Sequence, residues 1–288
     1  MEKIYFIKMS GAGNDFIVFD RKNNPGLKLN SELIQKFCDR RNGIGADGVI
    51  VISDSTEQNF VMDYYNADGS FGALCGNGAR CAVKYAEFSG RLNNGSAKFL
   101  SNNILYSGKM LGSEDVQVYL NPPSKLKNGF KVKAANQLIA ASYVNTGAPH
   151  VVIKIEDMLR DPKNLNSSYD NLNDIPVYEA GREIRYLNDF APEGTNVNFI
   201  KVEDGKINIR TYERGVEAET LACGTGAVAS AYWGFINEKL VPPIFLKTRG
   251  GDELIVDFKK EGDELKEVSL RGPAKIIFSG EISVNSIH

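Results

Sequence analysis

A chain of 288 residues, 42% hydrophobic and 24% charged, has the make-up of a soluble globular protein and room for two domains of ordinary size. The formal net charge of −2 gives no reason to expect nucleic acid or an anionic membrane as a partner, and no apolar run approaches the ~20 residues of a bilayer span. Two histidines and four cysteines, with only Cys75 and Cys81 closely spaced, argue against a zinc site and a disulfide framework; with no apolar segment near Met1, they point to a cytoplasmic protein with reduced thiols.

In chain order, runs rich in Ile, Val, Phe and Tyr predict strands at Lys3–Met9, Phe16–Asp20, Gly48–Ser53 and Phe60–Tyr65. Between the second and third, the spacing of Leu33, Ile34 and Phe37 predicts a helix capped by Asn30 or Ser31. Asn66-Ala67-Asp68-Gly69-Ser70 reads as a turn. After it, Ala79, Ala82, Val83 and Ala86 recur at helical spacing until Gly90. The second half repeats these ingredients, with strands at Val151–Ile155, Val197–Val202 and Lys206–Tyr212. A helix then carries Ala227, Val228, Ala231, Tyr232 and Phe235. The small-residue faces of both helices suit burial at the centre of a sheet.

The two helical segments open on one grammar, Cys75-Gly76-Asn77-Gly78-Ala79 and Cys223-Gly224-Thr225-Gly226-Ala227, separated by about half the chain. Looser echoes precede them in the same order. Gly11–Val18 resembles Gly147–Ile153, and Gly45-Ala46-Asp47-Gly48-Val49-Ile50 resembles Thr195–Ile200. Together they predict a duplicated scaffold, with its joint near Asn121-Pro122-Pro123-Ser124 and a polar insertion at Asp161–Asp174.

Each Cys stands just before a glycine-rich helix start, where backbone N–H groups and the positive end of the helix dipole stabilise a thiolate. A thiol titrates near neutrality, so it serves as either acid or base. Two such groups suit the inversion of an amino-acid α-carbon, one taking a proton from one face while the other returns one to the opposite face. N–H groups at Gly76-Asn77 and Gly224-Thr225 would receive the charge that spreads into the carboxylate. A lone Cys-Gly-x-Gly is more often a buried thiol beside a turn; the matched pair makes the chemical reading the stronger. Cys38 and Cys81 keep the packing role. Glu213-Arg214, in the turn before the second Cys, is suited to hold an ammonium and a carboxylate, against the plainer reading of a solvated surface pair. By themselves Asn14 and Asn196 are turn residues and His150 a structural histidine.

Over most of its length the chain resembles the diaminopimelate epimerase family of PLP-independent racemases. The resemblance rests on Lys8–Phe16, Gly43–Gly48, Asn66–Ser70, Cys75–Cys81, Thr146–His150, Gly194–Phe199, Tyr212–Gly215 and Thr220–Ala227. It implies an isomerase interconverting LL- and meso-2,6-diaminopimelate in lysine and peptidoglycan biosynthesis, with no cofactor and no metal. Cys75 would be the proton donor and Cys223 the acceptor in the LL-to-meso direction, with roles exchanged in reverse. Substrate contacts would come from Asn14, Asn66, Gly76, Asn77, Asn196, Glu213, Arg214, Gly224 and Thr225, and His150 would support the thiols. The implied fold is α/β (α+β), with two pseudo-symmetric domains. Each is a mixed, barrel-like sheet around a central helix, and the active site lies in the interdomain cleft. The domains would be 1–123 and 124–273, with a C-terminal strand at about 274–288 returning to the first. A homodimer is among the assemblies the family allows; the partner that matters is the small amino-acid substrate.

Three positions depart from the family pattern: Ser10 where His is common, Ala148 where Asn often precedes Pro-His, and Gly48 where some members carry Gln. They bear on recognition of the substrate's distal end and leave both thiols and the Glu-Arg pair in place. Two other readings compete. A proline or hydroxyproline racemase also uses two Cys-Gly-x-Gly turns, more often with His where this chain has Asn77. A thiol redox sensor would use the same cysteines without turnover.

Overall fold

The computed structural model describes residues 3–262 and 264–283. Residues 3–120 and 271–283 form one compact unit, and Asn121–Leu270 form another. Among the described residues no helix is long and apolar enough to cross a membrane.

The first unit runs β1 (Lys3–Gly11), β2 (Asn14–Asp20), α1 (Ser31–Cys38), β3 (Gly48–Ser53), β4 (Phe60–Asn66), α2 (Gly76–Phe88), β5 (Ser96–Ser101), β6 (Ile104–Met110) and β7 (Asp115–Tyr119). β1 and β2 form a hairpin that closes on the pair Gly11–Asn14. Its two loop residues, Ala12 and Gly13, both have positive φ (61° and 87°), the backbone that matches a tight turn to the strand twist. β2 pairs parallel to β3, β3 antiparallel to β4, β4 parallel to β5, and β5 antiparallel to β6. α1 begins where the apolar spacing placed it, with Asn30 as the cap: its Oδ1 accepts from Leu33 N at 2.8 Å. Ile34, Phe37 and Cys38 form its buried face. α2 packs against β1 through β7, and its first eight residues, Gly76–Val83, are all buried. A small-residue sequence is what lets strands close around a helix on every side.

The second unit repeats that order: β8 (Ser124–Ala134), β9 (Gln137–Asn145), β10 (Pro149–Lys154), α3 (Val177–Arg185), β11 (Asn196–Glu203), β12 (Lys206–Glu213), β13 (Ala218–Thr220), α4 (Gly224–Asn237), β14 (Ile244–Lys247) and β15 (Glu253–Glu261). β9 is antiparallel to β10, β10 parallel to β11, β11 antiparallel to β12, β12 parallel to β14, and β14 antiparallel to β15. Strand for strand, this is the pairing pattern of β1 to β6, and α4 enters after β12 as α2 enters after β4. Duplication is therefore visible in topology as well as in the Cys turns. α4 packs against β9, β10, β11, β12, β14 and β15. Ile155, read as the end of a strand, instead opens a single helical turn, Ile155–Asp157.

The polar stretch expected as an insertion is tied down by one buried cation. Arg210, on β12, donates from Nη1 to the carbonyls of Leu172, Asn173 and Ile175 at 2.9–3.1 Å and pairs through Nε and Nη2 with Glu219. Three carbonyls and a carboxylate satisfy the guanidinium's donors, which is the condition for burying it. β16 (Glu264–Pro273) leads out of this unit, and β17 (Lys275–Ser283) pairs antiparallel with β1 from Lys3↔Ser283 to Ser10↔Lys275.

Candidate functional site

Cys75 is the N-cap of α2. Its backbone is extended (φ −86°, ψ 119°) and its Sγ accepts from Gly78 N at 3.4 Å, so the thiol sits where side-chain oxygens usually cap helices. The β1–β2 hairpin brings Asn14 to it: Cys75 Sγ lies 3.7 Å from Asn14 Oδ1, and Asn77 Nδ2 lies 3.4 Å from the same oxygen. Close approach at Gly11 permits this, because a Cβ there would meet Asn77 O at 2.8 Å and Cys81 Sγ at 3.2 Å. Asn14 and Asn77 are nearly inaccessible. Asn66, at the end of β4 opposite Gly48, closes its own turn, donating from Nδ2 to Ser70 Oγ at 2.9 Å and from N to Ser70 O.

Cys223 repeats the arrangement at α4. Its backbone is extended (φ −120°, ψ 112°), and its Sγ accepts from Gly226 N at 3.4 Å and lies 3.5 Å from Thr225 Oγ1. Beneath this turn is a buried polar group on β10, β11 and β12. Asn198 Nδ2 donates to Val151 O at 3.0 Å and faces His150 Nδ1 at 3.2 Å, while its Oδ1 accepts from Thr211 Oγ1 at 3.0 Å. Val151's carbonyl accepts only, so the Asn198 NH2 must point that way and the histidine nitrogen beside it must be the acceptor. His150 is thus neutral with its proton on Nε2. Burial, with the positive charge of Arg214 adding to it, pushes its pKa down to about 3. Nε2 is buried and has no hydrogen-bond partner among the described residues.

The remaining residues of the second unit are placed by bonds to backbone and side-chain groups. Asn196 donates to Pro149 O and accepts from Arg214 N, both at 2.9 Å. That leaves the amide one N–H and one lone pair for other contacts. Glu213 Oε2 accepts from Thr220 Oγ1 at 2.9 Å, and Arg214 Nη1 reaches Glu193 O at 3.4 Å. Gly76 and Gly224 are the first residues of their helices. The first unit thus gathers Asn14, Cys75, Gly76 and Asn77, with Asn66 in a neighbouring turn; the second gathers His150, Asn196, Arg214, Cys223 and Thr225.

Cys38 and Cys81 are buried, and desolvation pushes both thiols up to about 12, which keeps them protonated and inert. Of the unusual positions, Gly48 has a direct cause: a Cβ there would meet Tyr65 O at 2.6 Å and the Tyr64 ring at 2.8 Å. The Tyr64 ring fills the space a longer side chain would need. Ser10 Oγ accepts from Gly13 N at 3.2 Å and braces the hairpin turn. Four residues around the thiols have no role assigned by the sequence: Asp47, Arg80 and Asn198, which lie within the motif stretches, and Thr211. Arg80 alone left a signal, as a charged residue inside an otherwise small and apolar helix face.

The family described as diaminopimelate epimerase matches residues 6–126 and 142–277. A diaminopimelate epimerase of Chlorobaculum tepidum is 39% identical over 280 residues, covering 96% of this chain and all of the relative. One of Aquifex aeolicus is 36% identical, covering 96% of this chain and 97% of the relative. Among solved structures, a probable proline racemase from Agrobacterium radiobacter superposes with a TM-score of 0.73 at 14% identity, covering 97% of this chain and 93% of its own; that likeness is one of fold.

Proposed function

The chain belongs to the diaminopimelate epimerase family, and from that premise we propose that it inverts one α-carbon of 2,6-diaminopimelate, with Cys75 and Cys223 as the proton-transfer groups. It is an isomerase, an amino-acid epimerase. The observation that carries the assignment of groups is the matched pair of caps. Each thiol holds the N-terminus of a buried helix and accepts an N–H from the third helical residue, 3.4 Å away in both units.

That position does chemical work in two ways. An N–H donor and the helix dipole stabilise a thiolate, which makes the sulfur a usable base near neutral pH. A helix also offers no carbonyl to its first N–H groups, so Gly76-Asn77 and Gly224-Thr225 suit an α-carboxylate and the negative charge that flows into it when the Cα–H bond breaks. In the LL-to-meso direction the Cys223 thiolate removes the α-proton and becomes a thiol. The electron pair passes into the carboxylate, and the Cys75 thiol returns a proton to the opposite face and becomes the thiolate. The reverse direction exchanges the two. The side chains of Asn14, Asn66, Asn77, Asn196, Glu213, Arg214 and Thr225 orient the substrate, and His150, neutral and immobile, supports the second thiol.

The test is incubation of the purified protein with LL-2,6-diaminopimelate in heavy water. Meso product carrying deuterium at one α-carbon is the expected result. Inversion of proline without inversion of diaminopimelate, or no isotope entry at all, refutes the assignment.

A further inference from the structure

Two charged side chains left without a task stand at the ends of a run of side-chain hydrogen bonds beside Cys75. Arg80, wholly buried in α2, donates from Nη2 to Asn77 Oδ1 at 2.9 Å. Asn77 Nδ2 donates to Asn14 Oδ1 at 3.4 Å, and Asn14 Nδ2 donates to Asp47 Oδ2 at 2.6 Å. An asparagine presents a carbonyl and an NH2 of nearly the same shape, so only its neighbours decide which way it faces. A guanidinium only donates and a carboxylate only accepts. Arg80 therefore takes the oxygen of Asn77, and Asp47 takes the NH2 of Asn14. Fixed independently from the two ends, the amides meet with NH2 against C=O. Reversal of either one would set donor against donor or acceptor against acceptor at both of its contacts.

Both anchors are themselves held. Arg80 also donates to Gly76 O and Pro273 O, each at 3.3 Å. Asp47 accepts from Asp15 N at 3.2 Å and Arg40 Nη2 at 2.7 Å, and its own N–H donates to Asp15 Oδ1 at 3.0 Å. Asp15 is paired in turn with Lys8 at 2.7 Å.

We propose that Asp47 and Arg80 are positioning residues of the epimerase reaction, which lock Asn14 and Asn77 in the one amide orientation that turns the Asn14 carbonyl toward Cys75 Sγ. The inference rests on Cys75 belonging to the reacting site. Neither anchor touches the sulfur; each acts through the asparagine it orients. A reversed Asn14 would present N–H to the thiol in place of an acceptor, and a reversed Asn77 would present the wrong group to Asn14.

A double-mutant cycle on the full chain tests this. Asp47→Ala removes the acceptor and leaves Asp15 paired with Lys8 and Arg40. In the parent it lowers kcat/KM for LL-diaminopimelate roughly tenfold or more, as misplacement of a substrate-orienting group does. In an Asn14→Ala background the same substitution changes kcat/KM by less than about twofold, because nothing is left to orient. Equal loss in both backgrounds, or no loss in the parent, overturns the proposal. Arg80→Met measured with and without Asn77→Ala repeats the cycle from the other end and serves if Asp47→Ala does not fold. A second readout needs no turnover. In asparagine-15N spectra of the unmodified protein, the side-chain NH2 that disappears in Asn14→Ala should show one proton shifted strongly downfield by the carboxylate. Two protons at ordinary amide positions overturn the proposal. An NH2 with the downfield proton in a protein that does not invert diaminopimelate refutes the proposed function and not the orientation, whereas an additive cycle in an active enzyme refutes the orientation alone.

Discussion

The two glycines at the third helical position, Gly78 and Gly226, look interchangeable in the duplicated motif, and substituting each by alanine should show that they are not. At Gly78 a new Cβ meets the ends of Ile50 and Met62 at 3.4 Å and Cys75 Cβ at 3.5 Å, which is ordinary contact. At Gly226 it meets Asn198 Oδ1 at 2.3 Å. Asn198 has no slack, since its amide bonds to Val151, His150 and Thr211 at once. Relief needs a shift of roughly 1 Å, of the amide or of the helix, with two or three buried hydrogen bonds broken at about 1–1.5 kcal/mol each. Alanine's better helix propensity offsets at most about 1 kcal/mol. Gly226→Ala should therefore lose about 3 kcal/mol, and Gly78→Ala should stay within about 1 kcal/mol of the parent. Scanning calorimetry reads this as a fall in Tm of about 5–10 °C for Gly226→Ala and little change for Gly78→Ala. Equal shifts in the two variants would refute the account of Asn198 as a rigid group under the second helix.

Three further outcomes follow from the site. Cys75→Ala and Cys223→Ala should each abolish isotope exchange-coupled epimerisation, since each face needs its own proton-transfer group; near-normal turnover by either variant removes the two-base mechanism. Arg214→Ala should lower kcat/KM by the equivalent of roughly 2–4 kcal/mol, as loss of a charge-assisted substrate contact does, and an unchanged kcat/KM makes Arg214 a surface charge. His150 should make the protein acid-sensitive. Its folded pKa of about 3 lies below the ordinary 6.5, so the unfolded chain binds a proton the native state refuses, and stability is lost as pH falls from about 6.5 toward 3. Urea unfolding at pH 6 and pH 4.5 should show the parent losing about 2 kcal/mol more than His150→Asn over that interval; parallel losses contradict a buried neutral imidazole.

Elements whose burial depends on local pattern were legible in the chain. Gly48–Ser53, with Val49–Ile52 apolar throughout, forms β3 with those ends, because a strand covered on both faces has no alternation to blur it. Asn30 and the two cysteines announced helix starts, since capping is a contact of a residue with its own next turn. α3 was missed for the opposite reason. Val177, Ala180, Gly181 and Ile184 have helical spacing, but a glycine in that stripe reads as a breaker. It is in fact the seat of the Tyr212 ring, whose Cβ and Cγ would lie 2.4 and 2.8 Å from a Cβ at Gly181. The same limit hid Asn198, an ordinary strand residue until α4, His150 and Thr211 are brought to it from three other elements.

What duplication copied and what it left to diverge are different parts of the two Cys turns. The helix caps are copied: two sulfurs, two extended cap residues, and two N–H bonds of one length. The side chains the strands bring to them are not. The second helical residue is Asn77 in one unit, bonded to Asn14 from the preceding hairpin, and Thr225 in the other, whose hydroxyl lies against the sulfur itself. In the first unit β2 and β3 meet as Phe16↔Gly48, and in the second the corresponding strands meet as His150↔Asn196. An inversion at carbon asks for both halves of this pattern. On the proposed function the hydrogen would leave and arrive by the same chemistry on opposite faces, which a repeated cap would supply, while the amino, carboxyl and distal groups of the substrate have no mirror symmetry to match. Only unlike partners around like sulfurs can distinguish those groups, and they are where substitutions should alter substrate choice without removing proton transfer.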